Sequence, residues 1–373
     1  MLDFDEGPAA GTAELRERVR ALTARWRDTG RYEPRPDNWM RGFDPEFSAA
    51  LAAAGLIGLT WPVEYGGAAL RNVDRLAVTE ELLRAGAPVA AHWMADRQIG
   101  PAVLRHGSEE LRRELLPDMV AGRAVYCLGM SEPEAGSDLA SVRTTATERP
   151  DGTFVLRGRK VWTTNAHRAT HMYVLARTDP GERKHEGLSE FIIDMDTPGI
   201  TVSPIPDIAG EHHFNEVLID DAVVPARRIV GERGRGWSQV VEQLSFERGG
   251  PERALSSYIL LAGILAGPRA ADGSLDVQIG QAVARLAMLR RLAYRVARLM
   301  DNGAAPVQEA ATLKLLGNTF EQDLVDLARQ AHDGPLTADS LVGQALMSMP
   351  GFTIRGGAAD VMLSLIARQE SVA

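Results

Sequence analysis

Residues 127–138 read CLGMSEPEAGSD. The stretch opens on β-prone residues, Cys127 to Met130, and runs directly into small and acidic residues closed by Gly136-Ser137-Asp138. A strand followed by so many backbone N–H groups that no regular ladder can satisfy has two readings. It is an ordinary capped turn, or its donors are reserved for a ligand.

Outward from this stretch the hydrophobic period is that of strands. From about residue 122, AVYCLGM, VRTTAT, TFVLRGRKVWTT, MYVLART, SEFIIDM and NEVLIDDAVV are β-branched or aromatic runs. Turn signals such as Pro150-Asp151-Gly152 and Thr197-Pro198-Gly199 separate them. About six strands suffice for a small barrel or sandwich, and the helices of a parallel βαβ sheet are missing between them. On the N-terminal side the pattern is helical. Thr12 is expected to cap a helix with the stripe Leu15, Val19, Leu22 and Trp26, and Asp44-Pro45-Glu46 opens another that stops near Gly55. A further helix covers Val73 to Arg84; Gly107 ends another, and Ser108 opens one that closes before Pro117. Helices return from Gly236 down to Ile366. The expected class is a multidomain α+β protein: a helical domain at 1–121, a β domain at 122–232 and a helical domain at 233–373.

The chain has 373 residues, 45% of them hydrophobic and 24% charged, which is globular composition and enough for two or three domains. A net charge of −9 argues against a sequence-independent hold on nucleic acid, which needs a basic surface. Cys127 is the single cysteine, so no internal disulfide and no thiolate metal cluster can form. The first residues lack the pattern of a signal peptide, and the longest apolar stretch, Ile259 to Ala266, is too short to span a bilayer. A reduced, cytoplasmic setting is the expectation.

After Gly236, Val240, Leu244, Glu247 and Pro251 share one helix face at i, i+4, i+7 and i+11, while Glu242 falls on the opposite, solvent side. The first two make the shared face apolar. A carboxylate placed there is costly unless paired or protonated. Arg248 or Arg253 could pair with Glu247; otherwise desolvation raises its pKa and makes it a base suited to neutral pH. Pro251 is expected to kink the helix just beyond.

Three stretches together resemble the acyl-CoA dehydrogenase family: Met130 to Asp138, Gly158 to Asn165 (GRKVWTTN), and Asn215 to Asp221 followed by Val224-Pro225 and the glycine-rich Gly231 to Gly236. GLTWPVEYGG at 58–67 is also similar. The resemblance implies a helical N-terminal domain, a middle β domain and a C-terminal four-helix bundle, with FAD as cofactor. It places Leu128, Met130, Ser131, Gly136, Ser137, Trp162, Thr163, Thr164 and Gly356 at cofactor-binding positions. Trp162 would pack on the isoalloxazine, Thr164 near N5, and Ser131 beside the ring. Ser137, Arg248 and Gly356 match substrate positions. The implied reaction is α,β-dehydrogenation of an acyl-CoA to the trans-2-enoyl-CoA, with electrons passing to an electron-transfer flavoprotein. In this family the base comes from the loop before the last helix or from the helix that here holds Glu247. Gly356 stands at the first position, so the resemblance and the periodicity both select Glu247.

The likeness weakens after residue 260. An Arg-x-Phe-Gly element is missing from AGPRAADGSLDVQIG, Gln330 to Gly334 poorly replaces a Gln-x-x-Gly-Gly segment, and Gly-Gly-Ala-Ala-Asp-Val stands for Gly-Gly-Thr-x-Glu-Ile. These positions work across a subunit interface in the family. The losses fit a divergent homo-oligomer, or a heteromer in which a second dehydrogenase-like subunit completes the FAD site, this chain then being a half-site or non-catalytic subunit. His167 and His171 imitate a metal pair without a third ligand, so no metal is expected. His212 and His213 are expected on the surface or in a loop, and the arginines within 285–298 on a solvated helix face.

Overall fold

The computed structural model describes residues 12–267 and 273–370, with the side chains of residues 245–247, 369 and 370 outside the described set. Helices α1 (Ala13–Asp28), α2 (Asn38–Arg41), α3 (Pro45–Ala53), α4 (Asn72–Arg84), α5 (Ala90–Met94), α6 (Gly100–His106) and α7 (Glu109–Val120) come first. A sheet follows, built from β1 (Tyr126–Gly129), β2 (Thr145–Glu148), β3 (Phe154–Lys160), β4 (His171–Arg177), β5 (Leu188–Asp194), β6 (Ile200–Ile205), β7 (Phe214–Val224) and β8 (Ile229–Val230). Helices α8 (Gly236–Glu247), α9 (Glu252–Leu255), α10 (Tyr258–Ala266), α11 (Asp276–Asp301), α12 (Val307–Gln330), α13 (Leu341–Phe352) and α14 (Ala359–Glu370) complete the chain. The architecture is thus helical, β, helical, as the periodicity indicates. By contacts the chain forms two units, one made of the stretch up to Phe43, Leu70–Ala90 and Ser245 onward, the other of Asp44–Ala69 and Ala91–Leu244.

In the first unit α12 is the central helix, packed by α10, α11, α13 and α14. Leu260, Val325, Ala345 and Phe352 close part of that core. Leu15, Val19 and Trp26 of α1 are buried as their spacing predicts, although Thr12 makes no side-chain cap. Of the arginines within 285–298, Arg291, Arg295 and Arg298 are exposed as expected, and the departure is Arg290. From α11 it reaches buried Glu80 of α4 at 2.8 Å, and Arg16 of α1 reaches the same residue at 2.6 Å.

In the second unit the strands run in the order β6-β7-β3-β2-β4-β5-β8, with β1 pairing β4 in parallel. Cys127, Met172, Val174, Phe191 and Ile193 fill one face. Tyr126, Tyr173, Ile192 and Val230 face the helices on the other, with Leu111, Leu115 and Met119 of α7. Both faces of the central strands are therefore dry, which is why MYVLART reads as an almost unbroken apolar run. The sequence reading missed two strands. β6 is an edge strand containing Pro204 and β8 is two residues long, so neither carries a strong periodic signal.

Two helix boundaries also differ. Pro117 lies inside α7, which continues to Val120. The buried Leu116 and Met119 hold the last turn, so the single hydrogen bond that proline removes is tolerated. Beyond Glu247 the chain breaks rather than kinks: Gly249 and Gly250 follow in a turn, and Pro251 caps the separate helix α9. By contrast Asp44 caps α3 as expected, accepting the Phe47 amide at 2.9 Å, and Ser108 caps α7 through the Leu111 amide at 3.2 Å.

Candidate functional site

The segment after β1 is shaped by a buried ion pair. Lys160, at the end of β3, is fully buried and donates to Glu132 Oε1 at 2.8 Å, to the Leu175 carbonyl at 2.8 Å and to the Met130 carbonyl at 3.1 Å. Glu132 in turn accepts the Arg143 amide at 2.6 Å, and the Thr144 amide and hydroxyl at 2.9 and 2.6 Å. Burial pushes the Glu132 carboxyl up, but Lys160 and Thr144 outweigh it and hold its pKa below the ordinary value. Burial also pushes the Lys160 ammonium down, to about 8, so the pair is ionised at neutral pH. Glu132 and Ala135 exchange backbone hydrogen bonds at 2.9 and 3.1 Å, and the Val161 amide donates to the Ser131 carbonyl at 3.0 Å. Half-buried Leu128, Met130 and Ser131 are thus aligned beside the end of β3, and Gly136 and Ser137 project outward, both exposed. The sequence held a signal for this pair: Phe154, Leu156, Gly158 and Lys160 alternate, which puts a lysine on the inward face.

Directly after Lys160 and Val161 comes Trp162, which is 60% exposed and has a left-handed φ of 59°. Its ring meets Phe214 edge-on at 5.8 Å. The Thr163 amide donates to the Asn215 carbonyl at 3.0 Å, the Asn215 side chain returns a bond to the Thr163 carbonyl at 2.9 Å, and the Asn165 amide donates to the His213 carbonyl at 2.7 Å. Thr163 is fully buried and its Oγ1 has no hydrogen-bond partner among the described residues. Thr164 is half-buried. The backbone is pinned on both sides of an indole that little else restrains. Trp162→Ala should therefore change unfolding free energy by no more than about 0.5 kcal/mol. If a planar ligand stacks there, the variant loses about 0.5–1.5 kcal/mol of its binding, three- to tenfold in affinity. Titration with the planar cofactor alongside a urea-unfolding curve separates the two effects.

Beside the signature segment lies an open cavity of about 580 Å³, lined in part by Glu134, Ser141, Arg143, Arg177 and Lys184. Lys184 pairs with Asp138 at 2.7 Å, and Arg177 donates to the Glu186 and Lys184 carbonyls at 2.7 and 2.8 Å. Sequence reading did not find this basic rim, because its three cations come from separate loops and a strand end.

Helix α8 packs its apolar face on the same segment. Val240 and Leu244 share a cluster with Ala135, Val142, Leu175, Leu188, Met130 and Leu139. Glu247 is the last residue of α8; its side chain lies outside the described residues. Glu242, on the other face, is not simply solvated: His106 of α6 approaches it at 3.0 Å and Arg105 at 3.7 Å. In the first unit, buried Arg248 donates Nε to the Gly356 carbonyl at 3.1 Å. Arg355 donates to Asp37 at 2.6 Å and lies over the Trp39 and Phe352 rings at 4.8 and 4.7 Å.

The histidines do not form one centre. His167 stacks on His212 at 3.9 Å and reaches Asn215 Oδ1 at 3.1 Å, whereas His171 stacks on Tyr126 and pairs with Asp194 at 3.2 Å. His213 lies in the loop before β7, as one of the two expectations had it, but not on the surface. It is buried, 3.7 Å from Asp207, whose carboxylate accepts the Ala209 and Glu211 amides and closes the turn before β7.

Three family models match in succession: acyl-CoA dehydrogenase N-terminal domain over residues 12–123, middle domain over 127–222 and C-terminal domain over 234–370. The chain is 34% identical over 342 residues to acyl-CoA dehydrogenase IpdE1 of Mycobacterium tuberculosis (strain H37Rv), covering 86% of this chain and 85% of that one. Several other curated relatives are matched over about half of their own length. The Tcur3481-Tcur3483 steroid ACAD superposes with a TM-score of 0.83 at 25% identity over 98% of both chains. The ChsE4-ChsE5 complex from Mycobacterium tuberculosis does so with a TM-score of 0.82 at 26% identity over 97% of both. The chain belongs to the acyl-CoA dehydrogenase family.

Members of this family are FAD flavoproteins. The residues present suit that cofactor. Among the described residues, a flat exposed indole adjoins a buried hydroxyl without a partner, and a Cβ added at Gly136 would meet no atom within 4 Å. Among the described residues no helix is long and apolar enough to cross a membrane.

Proposed function

We propose that this chain catalyses FAD-dependent α,β-dehydrogenation of an acyl-CoA thioester to the trans-2-enoyl-CoA, with Glu247 as the base. The observation that supports this reading best is the packing of α8. Its Val240–Leu244 face lies on Met130 and Ala135 of the signature segment and on Leu139 just beyond it, and in the sequence Glu247 stands in register with Val240 and Leu244. Bound FAD would supply the hydride acceptor for the β-hydrogen. Glu247 removes the α-proton, which a thioester makes only weakly acidic, so its carboxylate must be desolvated and aimed. Trp162, Thr163, Thr164, Leu128, Met130, Ser131, Gly136 and Gly356 would hold the flavin. Ser137, Arg248 and Gly356 would contact the thioester arm. Arg248 already organises the Gly356 carbonyl, so its role combines positioning with contact. Domain limits at 121/122 and 232/233 belong to the same proposal. The direct test is purification, a flavin spectrum and anaerobic bleaching by a panel of acyl-CoA thioesters that includes bulky steroid-like ones.

The basic rim of Arg143, Arg177 and Lys184 is suited to the anionic end of CoA. Lys184→Ala should raise KM for acyl-CoA about three- to tenfold at low salt, leave kcat nearly unchanged, and have no effect on an acyl-pantetheine thioester. Equal effects on both thioesters would place CoA elsewhere.

A second reading makes the chain one subunit of a heteromer, with an electron-transfer flavoprotein as electron acceptor in either case. The similarity to the Tcur3481-Tcur3483 steroid ACAD and the ChsE4-ChsE5 complex favours it, as do the altered C-terminal motifs. Of those motifs, residues 268–272 lie outside the described residues. A chain that is flavin-loaded and active when expressed by itself would eliminate the half-site version.

A further inference from the structure

Glu190, in the middle of β5, is fully buried. Its Oε2 accepts the Tyr173 hydroxyl of β4 at 2.8 Å and the Nε2 of Gln239, in the first turns of α8, at 2.9 Å. The same Gln239 amide donates to the Val230 carbonyl of β8 at 2.8 Å. Among the described residues, Oε1 of Glu190 has no hydrogen-bond partner. Tyr173 and Gln239 are the polar groups that face the carboxyl from the elements packed on it, and among the described residues no cation pairs with it. Close approach is built in. At Gly231, where φ is +78°, a Cβ would come within 2.1 Å of Gln239 Oε1; at Gly236, the start of α8, one would lie 2.8 Å from the Ser189 Cα. The Gly234 amide donates to Ser189 Oγ at 2.8 Å. The start of α8 is thus fastened to β5 over Leu188 to Glu190, and a further bond runs to β8.

We propose that Glu190 is a positioning residue: as a neutral acid it lets Gln239 lock α8 onto the sheet, and its ionisation loosens that lock and so displaces the far end of the helix. Gln239 and Glu247 are eight residues apart on the same helix, about 12 Å along its axis. The Tyr173 and Gln239 donors favour the anion, but burial with no cation beside it among the described residues outweighs them, so ionisation favours a state in which the carboxylate meets water. The nearest way to hydrate it is to lift Gln239 and the first turns of α8 away from β5 and β8. Burial pushes the Glu190 carboxyl up to about 8, which puts the transition just above neutral pH. The folded protein keeps a proton that the unfolded chain has lost, so this group's contribution to stability declines as pH rises from the ordinary carboxylate range to about 8 and is flat above. The effect on turnover rests on the proposed role of Glu247; the anchoring does not.

The test is hydrogen exchange of the peptide spanning α8, corrected for intrinsic rates, in wild type, Glu190→Gln and Gln239→Leu from about pH 6.5 to 9.5. Wild type should lose α8 protection about tenfold or more between pH 6.5 and about 8 and hold level above, with kcat falling over the same range and KM steady. Glu190→Gln should keep its protection and move the alkaline limb of kcat upward, and Gln239→Leu should be weakly protected at every pH. Protection in wild type that ignores pH, or falls equally in Glu190→Gln, overturns the proposal. Should Glu190→Gln not fold, wild type and Gln239→Leu still decide it. Lack of turnover on every thioester, with the exchange pattern intact, would overturn the dehydrogenase reading alone.

Discussion

Glu247→Gln should lower kcat by about 10²- to 10⁴-fold while flavin loading and acyl-CoA binding persist. The amide has the shape and polarity of the carboxyl but cannot accept the α-proton, so binding and chemistry separate. The altered enzyme should form the same charge-transfer or perturbed flavin spectrum with ligand, and fail to bleach. Stopped-flow reduction under anaerobic conditions measures the step itself, free of any slow product release. Normal bleaching by Glu247→Gln would assign the base elsewhere. The 353–358 loop carries no carboxylate, so none there would be available as a replacement.

Lys160→Met should destabilise the folded chain by about 3–5 kcal/mol and abolish flavin retention. The methionine matches the lysine in length and apolar volume, yet it leaves Glu132 charged and buried, and leaves the Leu175 and Met130 carbonyls short of a donor. The damage should concentrate at the segment 130–138, because Glu132 holds the Arg143 and Thr144 amides on one side and Lys160 on the other. Adding Glu132→Gln to Lys160→Met removes the uncompensated charge and should recover part of the loss. Urea unfolding followed by tryptophan fluorescence, with flavin release recorded in parallel, reads both quantities. A double variant no more stable than Lys160→Met would show that packing rather than charge sets the effect.

Much of the fold was legible because its periodicities are strong. Val19 and Trp26, Asp44 before Pro45, and the alternation in Phe154 to Lys160 each reflect a local geometric rule, and the structure follows them. Where the reading missed, the controlling term was not local. Pro117 signals a helix end, yet burial of Leu116 and Met119 carries the helix through it. β6 exists because β7 offers an edge, and its own residues, with Pro204 among them, would not predict it. For the site, the chemistry-bearing stretches stood out in sequence, but their supports did not. Glu132 and Lys160 are 28 positions apart, and Glu190 meets Gln239 across 49.

Order of elements, the signature segment after β1 and the placing of an acid in register with Val240 and Leu244 were determined by the sequence itself, because helix and strand periods are properties of neighbouring residues. Only the tertiary structure decided that the signature segment is held by a lysine from another strand, that α8 lies on that segment, and that a buried glutamate meets Gln239 near the start of that helix. Burial is a collective property. Whether a carboxyl is an anion, half of an ion pair or a protonated anchor depends on what the rest of the chain brings beside it.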